Sequence, residues 1–230
     1  MSAPAAAPLG IELLDDPDAD PAVVARSLAN IARANRWFGG RAAALWGIDQ
    51  LLREAGAARA FTLLDIGTGA GDLPVAAVRR AARRGQVLRA IGLERSPVAA
   101  ALAAARGVPT VLGCAGHLPV RDAAVDIILL SQVAHHLAAD AVVDLLRAVS
   151  RLARLGVVVA DLRRSELAVA GFRLGSALLG FDAVTRADGI TSVRRGYHAG
   201  ELAALTTRAG HPARVARRPG FRLVAYWSTA

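Results

Sequence analysis

The segment Leu63-Leu64-Asp65-Ile66-Gly67-Thr68-Gly69-Ala70-Gly71-Asp72-Leu73-Pro74 constrains this chain more than any other. An apolar run ends in an acid, turns through three alternating glycines and enters an amphipathic helix read over residues 73–84. The glycines admit positive φ and let a ligand lie against the backbone. The helix start that follows offers N–H groups with no partner inside the helix.

The same rhythm continues on both sides. Strand-like runs at 61–66, 87–93, 110–112, 125–130 and 156–160 alternate with helical stretches at 73–84, 97–106 and 140–153. That alternation argues for a parallel sheet covered on both faces. After a helix at 201–209, strands at 213–217 and 221–227 are separated only by Arg218-Pro219-Gly220. So short a link holds no crossover helix, so these two strands should be antiparallel neighbours. Ahead of the sheet, Asp20-Pro21 reads as a cap with proline at the first helical position. Val24, Leu28, Ile31 and Asn35 follow at helical spacing until Gly39-Gly40, and a second helix at 42–54 ends at Gly56. The organisation expected is a loose tail over 1–20 and one domain over 21–230, with a helical lid at 21–56 and an insertion at 163–196.

Composition supports a single folded core: 230 residues, 54% hydrophobic and 20% charged. The single cysteine, Cys114, excludes a disulfide framework and a cysteine-based zinc site. The opening carries acid instead of a basic n-region, so no signal peptide is expected. No apolar run reaches the roughly 18 residues of a membrane span; residues 168–184 are interrupted by Arg173 and Asp182. A cytoplasmic monomer or homodimer is expected. The net charge of +9 invites a nucleic-acid reading, but every basic residue is arginine, as a GC-rich coding sequence would write it. The arginines are scattered and aromatics make up only 4%, which leaves few stacking platforms for single strands. The partner expected is a small molecule.

A dinucleotide fingerprint would need a third glycine where Asp72 stands, and a carboxylate there repels pyrophosphate. The turn suits a ligand without phosphates that carries a cationic amine or sulfonium and a carboxylate, as S-adenosylmethionine (SAM) does. Asp65 and Asp72 would meet the positive charge and backbone N–H groups the carboxylate. Glu94, ending the next strand, has two oxygens for a ribose diol, although it also reads as a cap for the helix beginning at Ser96.

Four motifs then carry a resemblance: DIGTGAG at 65–71, IGLERS at 91–96, GCAGHLPV at 113–120 and VDIILLSQVAHHL at 125–137. Residues 63–137 resemble class I SAM-dependent methyltransferases, in particular the small-molecule branch that includes quinone-biosynthesis methyltransferases. Asn35-Arg36-Trp37-Phe38-Gly39-Gly40-Arg41 resembles the cofactor lid of that branch. The resemblance implies a Rossmann-like, doubly wound α/β fold with a mostly parallel seven-stranded sheet and an antiparallel last strand. It implies S-adenosyl-L-methionine as cofactor, held at Arg36, Asp65, Gly67, Thr68, Gly69, Gly71, Asp72, Glu94, Arg95, Cys114, Ala115, Ser131 and Gln132. One departure stands out. Cys114 takes the place of an aspartate that usually accepts from the adenine amine, and a thiol is a weak acceptor. Adenine recognition should then lean on backbone near Ala115, or Cys114 is simply a small buried hydrophobe.

Methyl transfer to a phenol needs a base. His135 and His136 directly follow the fourth strand, where ligands bind in open α/β sheets, and at most one is expected to point into the site. His198, beside Tyr197, is a third candidate; His117 and His211 read as structural. No metal is expected, since no histidine pair is backed by further acids at ligand spacing. In the insertion, Phe172, Leu174, Leu178, Leu179, Phe181 and Val184 either roof a pocket or fill helix core. Arg163, Arg164, Arg194 and Arg195 form a solvated rim or meet an acidic substrate or a carrier-protein phosphopantetheine. The expected function is methylation of a small, largely apolar metabolite at an aromatic hydroxyl. The alternatives are ring-carbon methylation, RNA methylation and a non-catalytic partner subunit. Ser131-Gln132-Val133-Ala134 stands where base-amine methyltransferases commonly carry Asn/Asp-Pro-Pro-Tyr.

Overall fold

Strand β1 (Ala60–Ile66) and strand β4 (Val125–Ser131) are apolar on both faces because helices cover both. In the computed structural model, which describes residues 12–16, 18–55 and 60–229, they form the centre of a seven-stranded sheet. The other strands are β2 (Val87–Glu94), β3 (Thr110–Leu112), β5 (Ala153–Leu162), β6 (Arg214–Arg218) and β7 (Arg222–Ser228). Their order is β3-β2-β1-β4-β5-β7-β6, with β7 antiparallel to both neighbours and the rest parallel. This is the expected topology, including the closing hairpin. Gly56 and residues 1–11 lie outside the described residues.

The helices are α1 (Pro21–Trp37), α2 (Gly40–Glu54), α3 (Asp72–Ala82), α4 (Pro97–Ala105), α5 (Ala139–Leu152), α6 (Glu166–Leu178), α7 (Ala183–Arg195) and α8 (Ala199–Arg208). Local chemistry sets their starts. Asp20 Oδ1 accepts from the Ala22 N–H at 2.7 Å ahead of Pro21, and Ser96 accepts from the Ala99 N–H ahead of Pro97. Side chains of successive strand residues go to opposite faces. Ile128, Leu130, Val157, Val159 and Ala225 therefore pack under α5 and α8, while Ile127, Leu129, Val158 and Val224 pack under α2 and α3. The insertion supplies α6 and α7.

β5 runs further than its apolar stretch at 156–160, because it is paired along both edges, with β4 and with β7. The fit there is tight. A Cβ on Gly156 would sit 2.3 Å from the Trp227 carbonyl oxygen and 2.8 Å from Leu51 Cδ2. Gly156→Ala is expected to cost about 1–3 kcal/mol by overpacking, which lowers Tm by roughly 2–4 °C per kcal/mol at this size. A thermal melt unchanged within about 1 °C would contradict this close approach.

Candidate active site

The carboxyl ends of β1, β2, β4 and β5 open into a cavity of about 620 Å³, walled by the starts of α3 and α4 and roofed by α1, α6 and α7. On one side the glycine turn takes the left-handed backbone its residues were chosen for: φ is 71° at Gly67, 54° at Gly69 and 76° at Gly71. The N–H groups of Gly67 and Thr68 donate to the Leu93 carbonyl, which hangs the turn on the end of β2. Glu94 then serves both readings. It lines the cavity, and its oxygens accept from the N–H groups of Gly69 at 2.8 Å, Arg95 at 2.8 Å and Ser96 at 3.0 Å. Thr68, Gly69, Arg95, Cys114, Ala115, Ser131 and Gln132 also line the cavity.

The two aspartates differ. Asp72 lines the cavity at the N-terminus of α3, where the helix dipole favours an anion. Burial raises its pKa, opposed chiefly by a hydrogen bond from Asn35 Nδ2 at 3.2 Å. Asp65 is 1% exposed and stays behind the wall, where it accepts from Thr68 Oγ1 at 2.8 Å and braces the turn. Burial pushes its carboxyl up to about 8, and its Oδ1 is buried without a partner. Its contact with a ligand is therefore indirect, a correction to direct charge pairing.

Arg36 is a second correction. It sits on the exposed side of α1 with its guanidinium over the Trp37 ring, because the helix turns Asn35 inward in its place. Asn35 joins a polar chain that sequence reasoning missed. Gln132 Nε2 donates to Asn35 Oδ1 at 2.7 Å, and Arg222 Nη1 donates to Gln132 Oε1 at 3.0 Å. Arg222 Nε also donates to the Phe38 carbonyl at 3.0 Å. Gln132 holds φ at 57°, uncommon for a residue with a side chain. Arg222 is buried at the head of β7, and burial lowers its pKa to about 10 against the attraction of Asp161. Cys114 is exposed, not a buried hydrophobe.

The turn that follows β4, whose Val133 abuts Gly67, carries the histidines. His135 and His136 sit on a 3-10 turn, Ala134–His136, and both line the cavity, where only one was expected. The tight turn lets the rings lie against each other with centroids 4.3 Å apart. His135 Nδ1 lies 2.7 Å from Asp161 Oδ1. A carboxylate oxygen accepts, so Nδ1 carries the proton and Nε2 is the basic nitrogen, buried without a partner. Burial disfavours the charged ring, but Asp161 outweighs it and holds the His135 pKa above its ordinary value. Burial would raise the Asp161 pKa, and His135 instead holds it low. Asp161 was missed, although it ends an apolar strand in an acid just as Asp65 and Glu94 do. His198 is not part of the site. It is the exposed N-cap of α8, whose N–H donates to Glu201 Oε2 at 2.7 Å.

Phe38, Phe172 and Phe181 form the roof through edge-on contacts at 5.5 and 6.5 Å, whereas Leu174, Leu178 and Val184 are exposed. Of the four arginines, Arg163 lies over the Phe221 ring, Arg164 pairs with Glu201, and Arg195 turns to Glu12. Residues 12–16 are thus no loose tail, since Glu12 is buried and lines the cavity. One ligand-type atom from each of Glu12, His135 and His136 lies within 4.8 Å of the others. The expectation of no metal overlooked this grouping, because Glu12 is remote in sequence. Among the described residues no helix is long and apolar enough to cross a membrane.

Comparison with known proteins bears on this geometry. Residues 64–160 match a family model described as a methyltransferase domain. A search of curated proteins finds no match. Among solved structures, a SAM-dependent methyltransferase from Aquifex aeolicus is 17% identical, with a TM-score of 0.60 over 92% of this chain and 99% of that one. Magnesium protoporphyrin IX methyltransferase from Synechocystis with bound SAH is 13% identical, with a TM-score of 0.56 over 86% of each chain. Human N-acetylserotonin methyltransferase in complex with SAM is 14% identical, with a TM-score of 0.61 over 90% of this chain and 56% of that one. None of the three singles out the quinone-biosynthesis branch. Residues 64–160 are thus similar to a methyltransferase domain, and the chain as a whole shares the α/β fold of these solved SAM-dependent methyltransferases.

Proposed function

We propose that this protein is a SAM-dependent O-methyltransferase whose acceptor is a small, largely apolar aromatic hydroxyl compound. The observation that carries the reading is the buried His135–Asp161 pair, with an unpartnered Nε2, in the same aromatic-roofed cavity as the glycine turn. The residues fit the cofactor. Glu94 keeps acceptor capacity for a ribose hydroxyl beside its three N–H partners, Asp72 supplies negative charge for an onium ligand, and Gly67 and Gly69 leave backbone open to it, whereas Gly71 packs against Ala103 and Val108. When bound, SAM supplies an electrophilic methyl group. The protein's own residues do the rest: Phe38, Phe172 and Phe181 exclude water and orient a flat acceptor, and His135 Nε2 takes the hydroxyl proton while Asp161 holds the ring.

The direct test is transfer of an isotopically labelled methyl group to a panel of phenols and to RNA. Label in phenols is expected; label in RNA alone overturns the reading. Binding has a proton signature too. With a folded pKa near 8 against an ordinary 3.8, Asp65 keeps its proton in the free protein at pH 7. It therefore stabilises the fold below pH about 4 and loses that contribution as pH rises through 8. A cation bound beside Asp72 and Glu94, in front of the wall that covers Asp65, favours ionisation of Asp65, so binding of S-adenosylhomocysteine (SAH), whose amine is charged, should release most of one proton at pH 7. Calorimetry in two buffers of different ionisation enthalpy measures this. Release that is absent, or unchanged in Asp65→Asn, would refute it.

A further inference from the structure

A carboxylate inside an apolar wall is costly unless charge and hydrogen bonds meet it. Glu12 is met by three groups of the cavity: Ser192 Oγ donates to Oε2 at 2.8 Å, Arg195 Nη1 donates to Oε1 at 3.0 Å, and His136 Nε2 lies 3.9 Å from Oε2. These groups belong to α7 and to the 3-10 turn after β4, both packed into the main body. Glu12 arrives on a separate short segment laid across the mouth. That segment is held where the Leu13 N–H donates to Asp188 Oδ2 at 3.0 Å, Arg95 donates to the Leu14 carbonyl, and Leu14 packs near Leu28 and Ala99.

We propose that Ser192, Arg195 and His136 form a carboxylate subsite for the acceptor, that Glu12 fills it in this structure, and that the acceptor is an aromatic hydroxy acid. Its carboxylate displaces Glu12 while its hydroxyl meets His135 Nε2. The inference rests on the O-methyltransferase reading and specifies its substrate. Exchange of one carboxylate for another leaves Arg195 paired, so the displacement strands no cation. Arginine suits the role, because its planar fork matches a carboxylate. Glu12 and His135 present atoms within 4.8 Å of one another, so a hydroxyl on the ring carbon beside the carboxylate fits the spacing, as in salicylate.

The test titrates salicylate and salicyl alcohol into the full chain by calorimetry, with and without SAH. Glu12→Ala should tighten salicylate about tenfold and change salicyl alcohol less than about threefold, because only the anion competes with Glu12. Glu12→Gln, which keeps an acceptor for Ser192, should fall between and serves if the alanine variant does not fold. Arg195→Leu should weaken salicylate about tenfold and spare salicyl alcohol. The proposal is overturned if Glu12→Ala weakens or leaves salicylate binding, which makes Glu12 a latch. Equal tightening of both ligands, which makes it a steric plug, also overturns it. So does salicylate selectivity that disappears with EDTA, which places a cation among Glu12, His135 and His136. Failure to bind SAH at all would remove the methyltransferase reading, and the selectivity measured without SAH is independent of that result.

Discussion

With His135 replaced by glutamine, turnover of a phenolic acceptor is expected to fall about 10²–10⁴-fold, the usual worth of a positioned base. SAH affinity should stay within about twofold, because His135 bonds to Asp161 and makes none of the hydrogen bonds of the glycine turn. The pH profile separates catalysis from mere support. A base must be unprotonated, so the rate should fall as pH drops through the His135 pKa, which Asp161 holds above its ordinary value. Asp161→Asn removes that charge, so the acid limb should move to lower pH while the maximal rate falls as the ring loses its orienting partner. Unchanged turnover in His135→Gln, or an acid limb that ignores Asp161→Asn, would remove His135 as the base.

Glu94→Ala is expected to weaken SAH binding by about 100-fold or more. A hydrogen bond from a ribose hydroxyl to a carboxylate is worth roughly 1.5–3 kcal/mol, and the turn itself would loosen. Three backbone N–H groups, from Gly69, Arg95 and Ser96, lose their acceptor together. Glu94→Gln separates the two effects. It keeps one acceptor oxygen and so preserves part of the bracing, while the charge-assisted share of ribose binding is lost. Equilibrium titration with SAH reads both variants, and an affinity within about threefold of the parent for Glu94→Ala would rule out a ribose contact.

Sequence revealed what depends on nearby residues. The succession of strands and helices, the closing hairpin and the glycine turn follow from periodicity, from the three-residue link before Phe221 and from backbone chemistry that only glycine supports. Residues at the carboxyl ends of strands were legible for the same reason: Glu94, Ser131 and the histidine pair had to lie at that edge. Orientation about a helix at the site was less so. Neighbouring positions on α1 point about 100° apart, and reading Arg36 instead of Asn35 as the inward residue was an error of one position. Partners distant in sequence were not legible at all. Glu12 meets Arg195 only because a short segment crosses the cavity mouth, and His135 meets Asp161 only because β4 and β5 are neighbours.

The chain of contacts from Arg222 through Gln132 and Asn35 to Asp72 has a consequence for biogenesis. Arg222 opens β7, the strand that slots between β5 and β6, so every other strand of the sheet must leave the ribosome before that position can be filled. Until then β5 presents an open edge and the end of α1 lacks its tether. A nascent chain would therefore complete this side of the cavity only once β7 has emerged, in the same event that seals the sheet.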